Sequence, residues 1–222
     1  MFLNSEPPRR TRGRPQVRPD EETIDLLVTA AEQAFRDHGY AGASMCDMAR
    51  HAGVSTKTMY RLIPHKADLF REVVSRRMGR YMLAFSAEAH DVRELKRALT
   101  GLLVAYGELS LSKETVAVHA LVVAEGRRFP EMADLFNDQI RRGAEAMTSW
   151  LARHRDRGLL RLDDVAQASG MLRGMMSMEP QRAIMLGRRE APDAAELAAR
   201  AEYCADLFLG GCLGVMKLPC RA

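Results

Sequence analysis

Ser44-Met45-Cys46-Asp47-Met48-Ala49-Arg50-His51-Ala52-Gly53-Val54-Ser55-Thr56-Lys57-Thr58-Met59-Tyr60-Arg61-Leu62-Ile63-Pro64 carries more structural information than any other part of the chain. Ser44 is a natural N-cap for a helix over Met45 to His51, and Asp47, three residues on, completes a capping-box-like pair. Met45, Met48 and Ala49 fall on its inward face. Gly53 breaks the chain, Val54 plugs back into the core, and Ser55 caps a second helix running to about Leu62. Pro64 then stops it. Two short helices joined by a glycine-containing turn make a helix-turn-helix, whose second helix fits the major groove of DNA.

The second helix has the composition for that task. Met59 alone must turn inward, leaving Ser55, Thr56, Lys57, Thr58, Tyr60 and Arg61 outside. Serine, threonine, lysine and arginine meet base edges, and all of them and tyrosine reach phosphate oxygens. Taken singly, each has a plainer reading: Ser44 and Ser55 as caps, Lys57, Arg61 and Lys66 as solvated charges, Tyr60 as a packing residue. Their combination on two short helices favours the DNA reading.

A basic arm strengthens it. Residues 1–19 hold Arg9, Arg10, Arg12, Arg14 and Arg18 against Glu6, a surplus of +4 that equals the net charge of the whole chain. All excess positive charge therefore sits in one short segment, the mark of a polyanion partner. Its prolines and scarcity of apolar residues predict disorder in the free protein. Arg12-Gly13-Arg14-Pro15 is similar to the core of an A·T-hook, whose arginines enter a narrow minor groove.

Outward from this centre the pattern is helical throughout. Asp20 is a candidate N-cap, followed by Ile24, Leu27, Ala31, Ala34 and Phe35 on one face and a stop at Gly39. A fourth helix starts near Lys66 and is expected to run through Leu69, Val73 and Met78 towards Ala89. Long apolar helices follow over Val92 to Ser110, Lys113 to Arg128, Glu131 to His154, Asp164 to Met178 and Asp193 to Met216. Pro130 suits a first helical turn and Gly158 a stop. No stretch keeps a period of two long enough for a strand, and no internal repeat is visible. The expected architecture is all-α: a basic arm (1–19), a DNA-binding helix-turn-helix domain (20–70), and a helical ligand-binding and dimerisation domain (71–222).

Composition excludes several classes. Apolar residues make up 47% of the 222 and Gly plus Pro only 25 residues, so the chain is globular. Its longest uncharged stretches, such as Thr115 to Ala124, span ten residues, against the roughly 20 of a membrane-spanning helix. No secretory signal opens the sequence, and a cytoplasmic location without membrane partners is expected. Cys46, Cys204, Cys212 and Cys220 show no metal-ligand spacing and read as small buried side chains, with a redox-sensing thiol at Cys212 or Cys220 the alternative. No nucleophile elbow, phosphate-cradling loop or H-E-x-x-H occurs, so neither cofactor nor catalytic activity is expected. A nonspecific architectural DNA protein is the stronger rival.

From Ile24 to about Val73 the chain resembles the TetR family of transcriptional regulators. The likeness rests on Ala30-Ala31, Phe35, Gly39-Tyr40, Ser44-Met45, Asp47-Met48-Ala49, Ala52-Gly53-Val54-Ser55, Thr58-Met59-Tyr60, Lys66 and Leu69-Phe70. It departs at Ile63, where phenylalanine is usual, and at His65, where a small polar residue caps the fourth helix. The resemblance implies that Ser44, Thr58, Tyr60 and Lys66 clamp phosphates while Thr56 and Lys57 face bases. Ala124-Glu125-Gly126-Arg127-Arg128-Phe129-Pro130-Glu131 is similar to a segment of the AefR-like branch.

The same resemblance implies a homodimer on a palindromic operator in double-stranded DNA, with repression relieved by a small-molecule effector. Dimerisation is expected through the last two helices, about Val165 to Gln181 and Asp193 to Met216. On the latter, Leu197, Ala201, Cys204, Phe208 and Cys212 form one apolar stripe, and Gly210, Gly211 and Gly214 permit close approach. Candidate effector contacts are Tyr106, His119, Trp150, Met171 and Met175, each with packing in the core or the dimer contact as its competing reading.

Overall fold

The computed structural model describes residues 18–86 and 89–212. Residues 1–17 of the arm, with Arg12 and Arg14, as well as Gly214 and Cys220, lie outside these residues. Among the described residues there are nine α-helices and no strand. They are α1 (Asp20–Gly42), α2 (Met45–His51), α3 (Thr56–Leu62), α4 (Lys66–Ala84), α5 (Val92–Ser110), α6 (Lys113–Glu125), α7 (Pro130–Asp156), α8 (Val165–Met185) and α9 (Ala194–Cys212).

Two apolar cores organise them. The first joins α1, α2, α3 and the start of α4 through Leu27, Ala31, Phe35, Met48, Met59 and Phe70. Met132 and Phe136 of α7 complete it. Its centre is aromatic, with Phe70 edge-on to both Phe35 and Tyr40 at 5.7 Å. The second core joins α5, α7, α8 and α9 through Leu95, Leu99, Leu103, Trp150, Leu172 and Phe208, among others. The fourth helix belongs to both, giving Leu69, Phe70 and Val73 to one and Tyr81 to the other. The two cores therefore share α4 as a common element.

Several helix ends depart from the sequence reading for local reasons. Asp20 does not cap α1; Pro19 takes that position, and the Asp20 carboxylate pairs with Arg61 instead. Ser44 does cap α2, but the Asp47 carboxylate binds Arg50 rather than closing a capping box. At the fourth helix, His65 makes no side-chain cap. That helix ends at Ala84, where Phe85 and Ser86 tighten into i to i+3 bonds; Ala89 is a fully buried residue after the helix, a role periodicity does not distinguish from a helical one. Pro130 opens α7 and Gly158 closes it, as expected.

The eighth helix runs through Pro180 to Met185 instead of ending at Met178. Proline removes the amide that would bond to the Met176 carbonyl. Arg200 of α9 supplies the missing donor: its Nε bonds Met176 O at 2.8 Å and its Nη2 bonds Met175 O at 2.7 Å. A long-range partner rescues what local propensity would break.

The α9 stripe also needs correction. Leu197, Ala201, Cys204 and Phe208 are buried in the chain's own second core, packed towards α5, rather than offered to another subunit. The outward faces are different. They carry Met171 and Met178 on α8 and Tyr203 and Leu207 on α9, all strongly exposed.

Candidate nucleic-acid interface and ligand cavity

Positive φ at Gly53 (65°) lets the chain reverse between α2 and α3. The Gly53 amide bonds Arg50 O and the Val54 amide bonds Ala49 O, closing the end of α2 as a Schellman turn with Val54 packed on the first core. Ser55 Oγ then accepts the Thr58 amide at 3.0 Å, and the two hydroxyls lie 2.8 Å apart. Met59 is completely buried and anchors α3. Ser55, Thr56, Lys57, Tyr60 and Arg61 are exposed, while Ser44 and Thr58 are half-buried. Short hydroxyls, a cation and an aromatic hydroxyl thus stand on one small convex head.

Two of the predicted DNA contacts already have partners. Arg61 makes a fork-to-fork pair with Asp20, Nη2 to Oδ1 at 2.7 Å and Nη1 to Oδ2 at 3.1 Å, which raises its pKa further. Lys66 donates its ammonium to the carbonyls of Tyr40 (2.7 Å) and Ala43 (3.2 Å) and sits 4.7 Å from the Tyr40 ring centre. Burial lowers its pKa. The lysine read as a phosphate clamp is therefore folded back on the α1–α2 corner, because that corner has carbonyls no helix satisfies.

The corner is held from the other side by Glu125. At Gly39 the first helix turns with φ 69° and ψ 176°, freeing the next amides. Glu125, the last residue of α6, accepts both: Tyr40 N to Oε1 at 3.0 Å and Ala41 N to Oε2 at 2.9 Å. A Cβ at position 39 would collide with that carboxylate. Tyr40, buried between Phe35 and Phe129, has its hydroxyl pKa pushed up to about 12, chiefly by burial. In the sequence Glu125 stands in the segment similar to the AefR-like branch, with no partner assigned to it. Its signal was the glycine at 39, which needs an acceptor for the amides after it.

Further up the molecule lies a cavity of about 220 Å³, walled by α1, α4, α5, α6, α7 and α8. Of the five candidate effector contacts, Tyr106 and His119 line it. His119 lies tilted against Phe136, ring centres 5.4 Å apart, and burial lowers its pKa, so it is held neutral at neutral pH. The other three are elsewhere. Trp150 is fully buried in the second core beside His154, Met175 packs on that core, and Met171 faces outward. The methionines of α8 were grouped by composition; helix geometry scatters them over several faces. Arg173, Ser110 and Gln139 line the cavity and escaped the sequence reading. Arg173 had a signal, being the only charge between Asp164 and Glu179.

Residues 27–73 match the model of bacterial regulatory proteins of the tetR family, and residues 97–211 match the C-terminal domain of AefR-like transcriptional repressors. The chain belongs to the TetR family. It is 25% identical over 130 residues to the HTH-type transcriptional repressor ComR of Escherichia coli, covering 58% of this chain and 60% of that one. The matched region thus spans less than two thirds of this relative's length.

Among solved structures, a TetR-family regulator from Mesorhizobium loti shares the fold with a TM-score of 0.74 at 24% identity, covering 92% of this chain and all of that one. The regulator FadR of Bacillus subtilis, solved with stearoyl-CoA, shares it at 0.67 and 18% identity, covering 84% and 98%. In this TetR-family chain no described helix is long and apolar enough to cross a membrane, and no described cluster of side chains could hold a metal ion.

Proposed function

We propose that the protein is a repressor that binds a palindromic operator as a homodimer and releases it when a small organic molecule fills the cavity. The carrying observation is α3, where Met59 locks into the core while Thr56, Lys57 and Tyr60 stand free. Thr56 and Lys57 face bases; Ser44, Ser55, Thr58 and Tyr60 meet phosphates. Arg61 joins them once it exchanges Asp20 for a phosphate. Lys66 acts indirectly by fixing the corner that carries α2. The arm, through Arg12 and Arg14, reaches the adjacent minor groove.

Dimerisation through the exposed faces of α8 and α9, around Met171, Met178, Tyr203 and Leu207, would set two recognition helices about 34 Å apart, one DNA turn. The domains divide near residue 70, with α4 as the shared element. Release has a physical route. The sixth helix borders the cavity at Thr115, Val118 and His119 and ends at Glu125, which holds the amides of Tyr40 and Ala41. A ligand that displaces α6 therefore acts on the head directly. By linkage, DNA must weaken the ligand by the factor that the ligand weakens DNA.

The test is selection of bound duplexes from a random pool at near-physiological salt, followed by sequencing. An inverted repeat with half-sites about one turn apart is expected. Recovery of no motif, with affinity that merely fades as salt rises, would indicate a nonspecific binder and end the repressor reading.

A further inference from the structure

Two polar groups on the cavity wall have nothing to bind. Arg173 Nε is buried without an acceptor, and among the described residues its guanidinium forms no ion pair. Ser110 is 7% exposed, and its Oγ is buried without a partner. Such groups are costly, and a guanidinium does not escape by losing its proton. Glu32 and Glu114 also border the cavity, but each has interactions of its own. The remaining wall is mostly apolar, with Val73, Val74, Met78, Phe136 and Ile140 prominent.

The two orphans mark opposite ends of one seam. Tyr106 meets Ser177 at 3.3 Å, and one turn further along Gln181 donates to the Ser110 carbonyl at 3.0 Å. Arg173 stands one turn before Ser177 on α8, so it is two turns from Gln181, roughly 12 Å at 1.5 Å per residue. Arg173 lies beside Tyr81, whose hydroxyl it influences electrostatically. The volume sets the size, since a cavity of about 150 Å³ takes benzene. A single ring with a short chain fits 220 Å³.

We propose that the cavity binds a small organic acid, a one-ring carboxylate whose anionic head meets Arg173 and whose far end carries a hydroxyl or carbonyl that meets Ser110. The apolar walls of α4 and α7 take the body between them. This assignment rests on the cavity being the effector site, and it adds the chemical class of the effector.

Calorimetric titration of the DNA-free protein tests it with three probes: para-hydroxyphenylpropionate, its primary amide, and phenylpropionate. The acid is expected to bind roughly tenfold or more tightly than the amide, as a charge-assisted hydrogen bond requires. Arg173→Gln should abolish that preference. Loss of the ring hydroxyl should cost roughly threefold to tenfold, and Ser110→Ala should erase that difference without lowering the stability of the free protein. Circular dichroism checks that both variants fold, and Ser110→Ala keeps the test alive if Arg173→Gln does not.

Equal affinity for acid and amide, an Arg173→Gln protein that keeps the preference, or no binding of either acid up to millimolar concentration would each overturn the assignment. Release of operator DNA is read separately by fluorescence anisotropy. Acid-selective binding that leaves DNA in place would uphold the site and remove the induction mechanism alone.

Discussion

The α3 head and the cavity treat polar side chains in opposite ways. On the head, Thr56, Lys57 and Tyr60 are exposed, so water satisfies them until DNA arrives. In the cavity, Arg173 Nε and Ser110 Oγ are buried and unsatisfied. An exposed recognition surface adds little cost to folding, whereas an orphaned buried group lowers the stability of the free protein by roughly 1–3 kcal/mol. The difference teaches which experiments report on each region. Changes at the exposed residues of the head should alter DNA binding without altering stability. Changes in the cavity or at the joint between the regions should alter both.

The largest effect is expected where the regions share a core. Phe70 is fully buried against Phe35 and Tyr40, with Met132 and Phe136 of α7 in the same cluster. Phe70→Ala should lower the unfolding free energy by about 3–5 kcal/mol in a urea titration. Because α7 contributes, the loss should shift the transition of the whole chain. A head that melts alone, leaving the rest unchanged, would break the comparison into two independent domains.

A smaller effect is expected at the joint itself. Glu125→Ala leaves the amides of Tyr40 and Ala41 without their acceptor and should cost about 1–3 kcal/mol. Glu125→Gln, which keeps an oxygen, should recover part of it. Operator affinity in the alanine variant should fall even under conditions where it is fully folded. If affinity is unchanged there, α6 does not speak to the head through this contact.

How much of this was legible in the sequence depended on how local the cause was. Ser44, Ser55, Gly53 and Met59 act within a few residues of themselves, and their roles as caps, turn and anchor could be read directly. The α9 stripe was legible as apolar but not as to what covers it, since periodicity gives a face and not its partner. That α8 continues past Pro180 was not legible locally, because the donor that compensates for the proline, Arg200, is twenty residues away on another helix. The cavity was least legible. Its walls come from six helices; Arg173 stands out as the only charge between Asp164 and Glu179, but nothing in its spacing, or in that of Ser110, says that it faces a cavity.

Two lysines on the head sharpen the comparison further. Lys57 is exposed on α3, whereas Lys66 is tied to the carbonyls of Tyr40 and Ala43. Lys57→Ala should leave the urea midpoint in place while weakening operator binding by about 1–3 kcal/mol and relaxing the preference at the base it faces. Lys66→Ala should do the reverse, lowering stability by about 1–2 kcal/mol with the salt slope unchanged. A reduced slope in the Lys66 variant would restore the phosphate clamp that the sequence implied.

The smallest effect concerns His119 and is one of direction. Burial in the cavity lowers its pKa from the ordinary 6.5. Between the lowered value and 6.5 the unfolded chain carries the proton and the folded one does not, so the folded state binds fewer protons in that window. Stability must therefore fall as the pH drops below about 6.5, and this contribution levels off once the pH is under the folded-state value. Carboxylates titrating at lower pH add their own losses, so the informative quantity is a difference. His119→Asn, unable to ionise, should lose less stability than the parent between pH 7 and the depressed pKa, with denaturant midpoints as the measure. Parallel curves for the two proteins would mean that the folded chain solvates an imidazolium at position 119 as well as the unfolded chain does, and the contrast between buried cavity groups and solvated head groups would lose one of its supports.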